Sequence, residues 1–98
     1  VFTSQEISYC EQFKFKEQNY AARFAAKEAT VKALGTGIGP VGWREVELRY
    51  GPQKQPQLFL LGAAAIRAEA LGLNSWSVSI SHTTSLAVAM VTALGTGD

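Results

Sequence analysis

An alanine-rich helix in the first third of the chain constrains the fold more than any other segment. From about residue 20 to residue 34, the apolar side chains fall on two opposite sides of a helical wheel drawn at about 100° per residue. The larger side chains share one side and the alanines the other: Tyr20, Phe24, Val31 and Leu34 against Ala22, Ala25, Ala26, Ala29 and Ala33. Because a surface helix has a single apolar stripe, this pattern predicts a helix packed between other elements.

The charges of this helix are then expected in the seams between its two apolar sides. Glu28 and Lys32 share one seam, and the other holds Arg23, Lys27 and Thr30. A partly buried carboxylate needs a cation, a metal or several donors. Glu28 and Lys32 therefore allow two interpretations. They form an intrahelical salt bridge worth a few tenths of a kcal/mol, or Glu28 binds a hard cation such as magnesium while Lys32 neutralises a phosphate.

Length and charge limit the class of protein. A chain of 98 residues predicts one domain, residues 1–98, near the size at which oligomerisation often completes a core. The net charge of +1 comes without a basic stripe, which argues against nucleic-acid binding. The chain has neither an apolar run of the roughly 20 residues that span a bilayer nor a signal peptide, so we expect a soluble, cytoplasmic protein. Cys10 is the single cysteine, which excludes an intramolecular disulfide and suggests a structural role.

The remaining segments predict an α+β fold in which helices cover an antiparallel sheet. Thr3 and Glu6 form a capping box for a first helix that runs to about residue 13. Gly35 is placed as the C-cap of the alanine-rich helix. Alternation from Trp43 predicts a half-exposed strand, which a turn over residues 51–57 joins to a short buried strand over 58–61. Residues 62–71 predict the last helix.

The C-terminal region alternates again and predicts a hairpin. A turn centred on Thr83 would give three bulky cross-strand pairs: Ile80 with Leu86, Val78 with Val88, and Trp76 with Met90. The other face would then carry only serine and alanine and would pack against Ala25 and Ala29. Contacts of these two alanines with large side chains, and none with Ser79 or Ala87, would contradict this prediction.

Two further features could bind a ligand. The glycine loop that begins Gly35-Thr36-Gly37 follows a helix and runs into Pro40, unlike Rossmann and Walker loops, which follow a strand and open a helix. Helix capping and turn formation explain its glycines, and a backbone nest for a phosphate remains the alternative. His82, the only histidine, is either structural or a ligand for an anion. The sequence does not indicate a Ser-His-Asp triad.

In their order and spacing, four motifs resemble those of the holo-[acyl-carrier-protein] synthase family, the small phosphopantetheinyl transferases. The resemblance covers nearly the whole chain, and the motifs are Phe2-Thr3 with Glu6, Arg23-Phe24-Ala25-Ala26-Lys27-Glu28-Ala29, Lys32-Ala33-Leu34-Gly35-Thr36-Gly37 and Val78-Ser79-Ile80-Ser81-His82-Thr83.

This resemblance implies the 4′-phosphopantetheinyl transferase fold and transfer of 4′-phosphopantetheine from coenzyme A to a serine of apo acyl carrier protein. The released product would be adenosine 3′,5′-bisphosphate, and magnesium is the expected cofactor. It implies Glu28 as metal ligand, Lys32 beside the diphosphate and the reacting hydroxyl, and His82 with Thr83 facing the phosphates of coenzyme A. Arg23, Gly35, Thr36 and Gly37 are weaker implied contacts, and the general base stays open. The family's usual trimer and its role in fatty acid biosynthesis, a part of lipid metabolism, are further expectations.

One family feature is missing from the sequence. Members normally begin with a strand whose Gly-x-Asp motif supplies a second metal ligand, and no such motif precedes Phe2. We therefore expect that the domain is N-terminally incomplete and that these 98 residues alone show weak or absent catalysis. Full activity of the short form would contradict this expectation. The alternative function is a non-catalytic module of the same fold that binds coenzyme A or serves assembly.

Overall fold

In the part of the chain that the structure describes, the fold has three α-helices and two β-hairpins. The computed structural model describes residues 1–35, 41–83 and 86–95, with only the backbone of His82. A single turn of 3₁₀ helix at Trp43–Glu45 leads into the first hairpin. In chain order the elements are α1 (Ser4–Cys10), α2 (Lys16–Leu34), β1 (Val46–Tyr50), β2 (Pro56–Leu60), α3 (Gly62–Ala70), β3 (Leu73–His82) and β4 (Ala87–Gly95). In the described part of the chain, no helix is both long enough and apolar enough to cross a membrane.

The ends of the first two helices follow local signals. The capping box is confirmed: the Thr3 hydroxyl accepts from the N–H of Glu6, and the Glu6 carboxylate accepts from the N–H of Thr3 at 3.0 Å. Gly35 ends α2 in the left-handed conformation with φ of 73°, as predicted. Two boundaries were predicted wrongly, since α1 ends at Cys10 and α2 begins at Lys16.

Both hairpins are antiparallel, but they form two separate sheets. β1 pairs with β2 and β3 with β4, and β2 lies beside β3 without ladder hydrogen bonds. The α+β class with antiparallel strands packed against helices is confirmed, whereas one continuous sheet is not found among the described residues. The strand predicted from Trp43 onward is less exposed than expected, since Glu47 in β1 is 4% exposed, and the Thr3 hydroxyl and the Arg49 guanidinium both donate to its carboxylate.

The predicted register of the second hairpin is wrong by three residues. Val78 pairs with Val91 rather than Val88, and Ile80 pairs with Ala89 rather than Leu86. The N–H of Thr83 donates to the carbonyl of Leu86, which centres the turn after Thr83 instead of on it. An odd shift turns every β4 side chain to the opposite face. The alanines of β4 therefore share a face with Trp76, Val78 and Ile80, while the β3 serines share the outer face with Val88, Met90 and Leu94.

The core lies where α2 and α3 meet the hairpins. Its buried members are Val31, Leu34, Val41, Val46, Ala64 and Ala68, with Trp43, Leu58, Leu60 and Trp76 partly buried around them. Cys10 is also buried and carries a free thiol, whose pKa burial raises. The burial of this side chain is consistent with the structural role expected for Cys10.

A prediction concerns Gly62, which has φ of +53° at the start of α3. A Cβ there would lie 2.3 Å from Oε2 of Glu45, which accepts from the N–H of Ala63 at 2.8 Å. Gly62→Ala should lower the free energy of unfolding by about 1–2 kcal/mol for the left-handed backbone and by about 1 kcal/mol more for the disturbed hydrogen bond. Gly72→Ala is the matched control, because Gly72 has φ of +73° and open space around it. Equal losses of stability in urea unfolding would contradict the role of Glu45.

Candidate functional site

A groove of about 450 Å³ lies between α2 and β4. Its walls are Ala25, Glu28, Ala29 and Lys32 of α2 with residues 87–91 of β4. Ala25 and Ala29 therefore face the strand that contains Ala87, so the predicted packing of the alanine side against this hairpin is confirmed. The predicted role of Ser79 is wrong, because Ser79 pairs with Met90 on the outer face of the hairpin.

Glu28 and Lys32 lie one helical turn apart and both line this groove. Both residues are exposed, so the expected partial burial of Glu28 is wrong. Neither forms an ion pair with any residue in the described part of the chain, so the interpretation as a Glu28–Lys32 salt bridge is wrong. Both residues are therefore available to a ligand in the groove.

The groove extends along β4 to Ala87, the first residue of that strand. The backbone of His82 pairs with that of Ala87, which is a wall residue. The Thr83 hydroxyl accepts from the N–H of Leu86 at 3.2 Å. Gly35 follows α2 about one turn beyond Lys32. Thr36 and Gly37, also predicted as ligand contacts, lie outside the described residues.

Arg23 is not brought together with Glu28 and Lys32. Its side chain is 1% exposed and lines a different cavity, between α1 and β1. Its guanidinium carbon lies 4.6 Å from the ring centre of Tyr9 and 5.0 Å from that of Tyr50. Tyr50 is the last residue of β1 and shares a strand face with Val46 and Leu48, but the sequence does not connect it with Arg23 or Tyr9. The alternation of β1 was the only available signal.

Lys27, next to Glu28 in sequence, is fully buried on the same side of α2 as Arg23. Its Nζ lies 2.8 Å from Oε1 of Glu6 and donates to the carbonyls of Trp43, at 2.8 Å, and Val46. Oε2 of Glu6 accepts from the N–H of Leu48 at 2.9 Å. Burial lowers the pKa of Lys27, and the contacts with Glu6 oppose that shift. This ion pair joins α1, α2 and β1, and so holds in place the helix that carries Glu28.

Among the groove walls, the side chain that could bind magnesium is the carboxylate of Glu28. The described residues contain no group of three or more His, Cys, Asp or Glu side chains that could enclose a metal ion. Magnesium commonly takes one or two carboxylates and completes its octahedron with waters and substrate phosphates. Glu28 meets this need, since its exposed carboxylate has no ion-pair partner among the described residues.

Comparison with known proteins connects this arrangement to one family. Residues 1–91 match the 4′-phosphopantetheinyl transferase superfamily. A curated relative, the holo-[acyl-carrier-protein] synthase of Herpetosiphon aurantiacus, is 43% identical over 102 residues. That alignment covers 97% of this chain and 78% of the relative.

Solved structures agree with the sequence matches. The crystal structure of holo-[acyl-carrier-protein] synthase from Neisseria meningitidis superposes with a TM-score of 0.86 at 33% identity, covering 96% of this chain and 76% of that one. The Helicobacter pylori enzyme, solved in complex with coenzyme A, gives a TM-score of 0.79 at 30% identity. It covers 94% of this chain and 76% of its own.

Proposed function

The chain belongs to the 4′-phosphopantetheinyl transferase superfamily, and from this premise we propose that it transfers 4′-phosphopantetheine from coenzyme A to a serine of apo acyl carrier protein, releasing adenosine 3′,5′-bisphosphate. The observation that carries the proposal is the groove in which Glu28 and Lys32 face β4 without protein partners among the described residues. A relative of the same family was solved with coenzyme A bound. That structure supports coenzyme A as the co-substrate.

Each groove residue has a distinct chemical task in this proposal. Glu28 would hold magnesium, and a bound magnesium ion supplies positive charge against the diphosphate. The ammonium group of Lys32 stabilises the negative charge that develops on the diphosphate as the serine oxygen attacks phosphorus and the phosphoanhydride bond breaks. The proton of the serine leaves to a base that we do not assign.

The hairpin tip and the end of α2 would hold the phosphates of coenzyme A. His82 is the last residue of β3, the strand that pairs with the groove wall, and Thr83 follows it. Gly35, with Thr36 and Gly37 after it, continues from the helix that carries Lys32. Backbone N–H groups in such a glycine segment suit an anion. Arg23 is also proposed as a weaker contact, and its guanidinium is buried on another side of α2 from Glu28 and Lys32.

We also propose a homotrimer, a cytoplasmic location and a role in fatty acid biosynthesis, as the family membership implies. A trimer is supported by the outer face of the second hairpin, where three large apolar side chains are exposed: Val88 at 55%, Met90 at 70% and Leu94 at 61%. A row of this kind on one strand is typical of a surface that another chain covers. Sedimentation velocity measures the assembly directly.

Transfer to a carrier protein tests the proposed reaction. Incubation with apo acyl carrier protein, coenzyme A and magnesium should add the mass of phosphopantetheine to the carrier protein, and chelation of magnesium should stop the gain. A parallel calorimetric titration measures coenzyme A binding with and without magnesium. Binding without transfer, in a form that also carries the family's first strand, would contradict the proposal and favour the non-catalytic module.

A further inference from the structure

Helix α3 is joined to both ends of the glycine segment, which we define as residues 35–42. One of these contacts runs through the side chain of Glu45, which bonds to the last residue of the segment. We propose that Glu45 is a positioning residue for coenzyme A: it fixes the end of the glycine segment and does not touch the ligand. This inference rests on the proposed function, in which Gly35 and the two residues after it contact the phosphates of coenzyme A.

Glu45 uses both oxygens of its carboxylate. Oε1 accepts from the N–H of Gly42 at 2.7 Å, and Oε2 accepts from the N–H of Ala63 at 2.8 Å. Gly42 is the last residue of the glycine segment, whereas Ala63 is the second residue of α3. The backbone carbonyl of Glu45 also accepts from the N–H of Leu61 at 2.8 Å. One residue therefore joins the glycine segment to the start of α3.

The start of α3 needs an acceptor from elsewhere in the chain. The first N–H groups of a helix have no partner within the helix, and the N-cap residue Leu61 has no side chain that can accept from them. Glu45 supplies the acceptor, and its negative charge suits the positive end of the helix dipole. The N–H groups of Gly42 and Ala63 lower the pKa of Glu45, so its carboxylate stays ionised at neutral pH.

The same helix contacts the chain just before the glycine segment. Nε of Arg67 in α3 donates to the carbonyl of Leu34 at 3.2 Å. Leu34 is the last residue of α2, where carbonyls have no partner within the helix, and Gly35 follows it. Ala63 and Arg67 lie about one turn apart on α3. One turn of a single helix therefore holds both ends of the glycine segment, the first through Arg67 and the second through Glu45.

Contacts that hold the segment before a ligand arrives favour binding. A loop that becomes ordered on binding loses conformational freedom, and this loss lowers the affinity. The backbone on either side of the segment is already held by Arg67 and Glu45, so less freedom remains to be lost. Breaking the bonds to Glu45 should therefore weaken coenzyme A binding, although no group that contacts the ligand is changed.

Calorimetric titration with coenzyme A in the presence of magnesium tests the inference. Glu45→Ala removes both side-chain hydrogen bonds and should raise the Kd of coenzyme A about tenfold. Glu45→Gln keeps one acceptor oxygen and should raise the Kd about threefold. A general charge effect has the opposite sign, because loss of a negative charge favours an anionic ligand. Glu69→Gln, which changes an exposed carboxylate of the same helix, controls for that effect and should not raise the Kd.

A pair of glycine variants separates positioning from a general loss of stability. Gly62 and Gly72 both have left-handed φ, so an alanine at either position destabilises the fold. Only the Cβ of Gly62→Ala lies close to Glu45, at 2.3 Å from Oε2, whereas that of Gly72→Ala meets open space. We expect Gly62→Ala to raise the Kd of coenzyme A and Gly72→Ala to leave it unchanged. A purely structural role of Glu45 would not give this difference.

Each outcome decides between the inference and the proposed function. Equal Kd values in the parent protein, Gly62→Ala and the Glu45 variants would overturn the inference and leave the proposed function standing. Equal increases in Gly62→Ala and Gly72→Ala would also overturn it, since affinity would then follow stability alone. Glu45→Gln decides the matter if Glu45→Ala does not fold. Absence of coenzyme A binding by the parent protein would overturn both proposals.

Discussion

Replacing Lys27 with methionine should destabilise the fold far more than replacing an exposed lysine of the same helix. The change leaves the Glu6 carboxylate fully buried and charged, with donors only from the N–H groups of Thr3 and Leu48. It also removes the donor to the carbonyls of Trp43 and Val46. Breaking a buried ion pair in this way costs about 3–5 kcal/mol, a large fraction of the total of about 5–15 kcal/mol typical of a folded protein. Urea unfolding followed by circular dichroism measures the difference.

Lys16→Met is the matched control, because Lys16 forms an ion pair with Glu11 at 3.1 Å on the surface. The two side chains are 46% and 48% exposed, so their pair should contribute at most about 1 kcal/mol. The double variant Glu6→Gln/Lys27→Met should recover part of the loss, because no buried charge is left alone. A cost for Lys27→Met no greater than for Lys16→Met would show that the buried pair does not hold α1 against α2.

The sequence predicted α2 but not the residues that its charged side chains contact. Arg23 and Lys27 are four residues apart, so they were correctly assigned to one side of α2. Their partners are distant in sequence: Glu6 lies on α1 and Tyr50 on β1. No spacing rule links such positions, and only the packing of three elements brings them together. The start of α2 was missed because its N-cap, Phe15, has no capping hydrogen bond to mark it.

The register of the second hairpin determines which side chains face the groove, so a small error in the predicted turn gives the wrong lining residues. Periodicity identified β3 and β4, but the register depended on the turn between Thr83 and Leu86, whose geometry the sequence does not determine. With the observed register, Ala87 and Ala89 face α2 and leave room for a groove beside Glu28. The predicted alanine packing was confirmed because Ala87 and Ala89 still face α2 in the observed register, whereas the β3 serines lie on the outer face.

Glu28→Gln should abolish magnesium-dependent transfer while leaving the fold intact. The Glu28 side chain is exposed and has no ion-pair partner among the described residues. Its replacement by an amide of the same shape should therefore change the free energy of unfolding by less than about 0.5 kcal/mol. The carboxylate is the one metal ligand proposed from this chain, and loss of a group that stabilises developing charge typically lowers kcat by about 10²–10³-fold.

Two measurements distinguish a functional Glu28 from a structural one. Calorimetry should show that magnesium strengthens coenzyme A binding to the parent protein but not to Glu28→Gln, whether or not transfer is detected. Glu17→Gln, which changes an exposed carboxylate in the first turn of the same helix, controls for net charge and should keep the magnesium effect. If Glu28→Gln retains that effect, the metal is held elsewhere. If it instead unfolds more easily than Glu17→Gln by more than about 1 kcal/mol, Glu28 contributes to the fold. Either result would remove Glu28 from the proposed site, because its assignment depends on a side chain that is free to bind metal and unnecessary for packing.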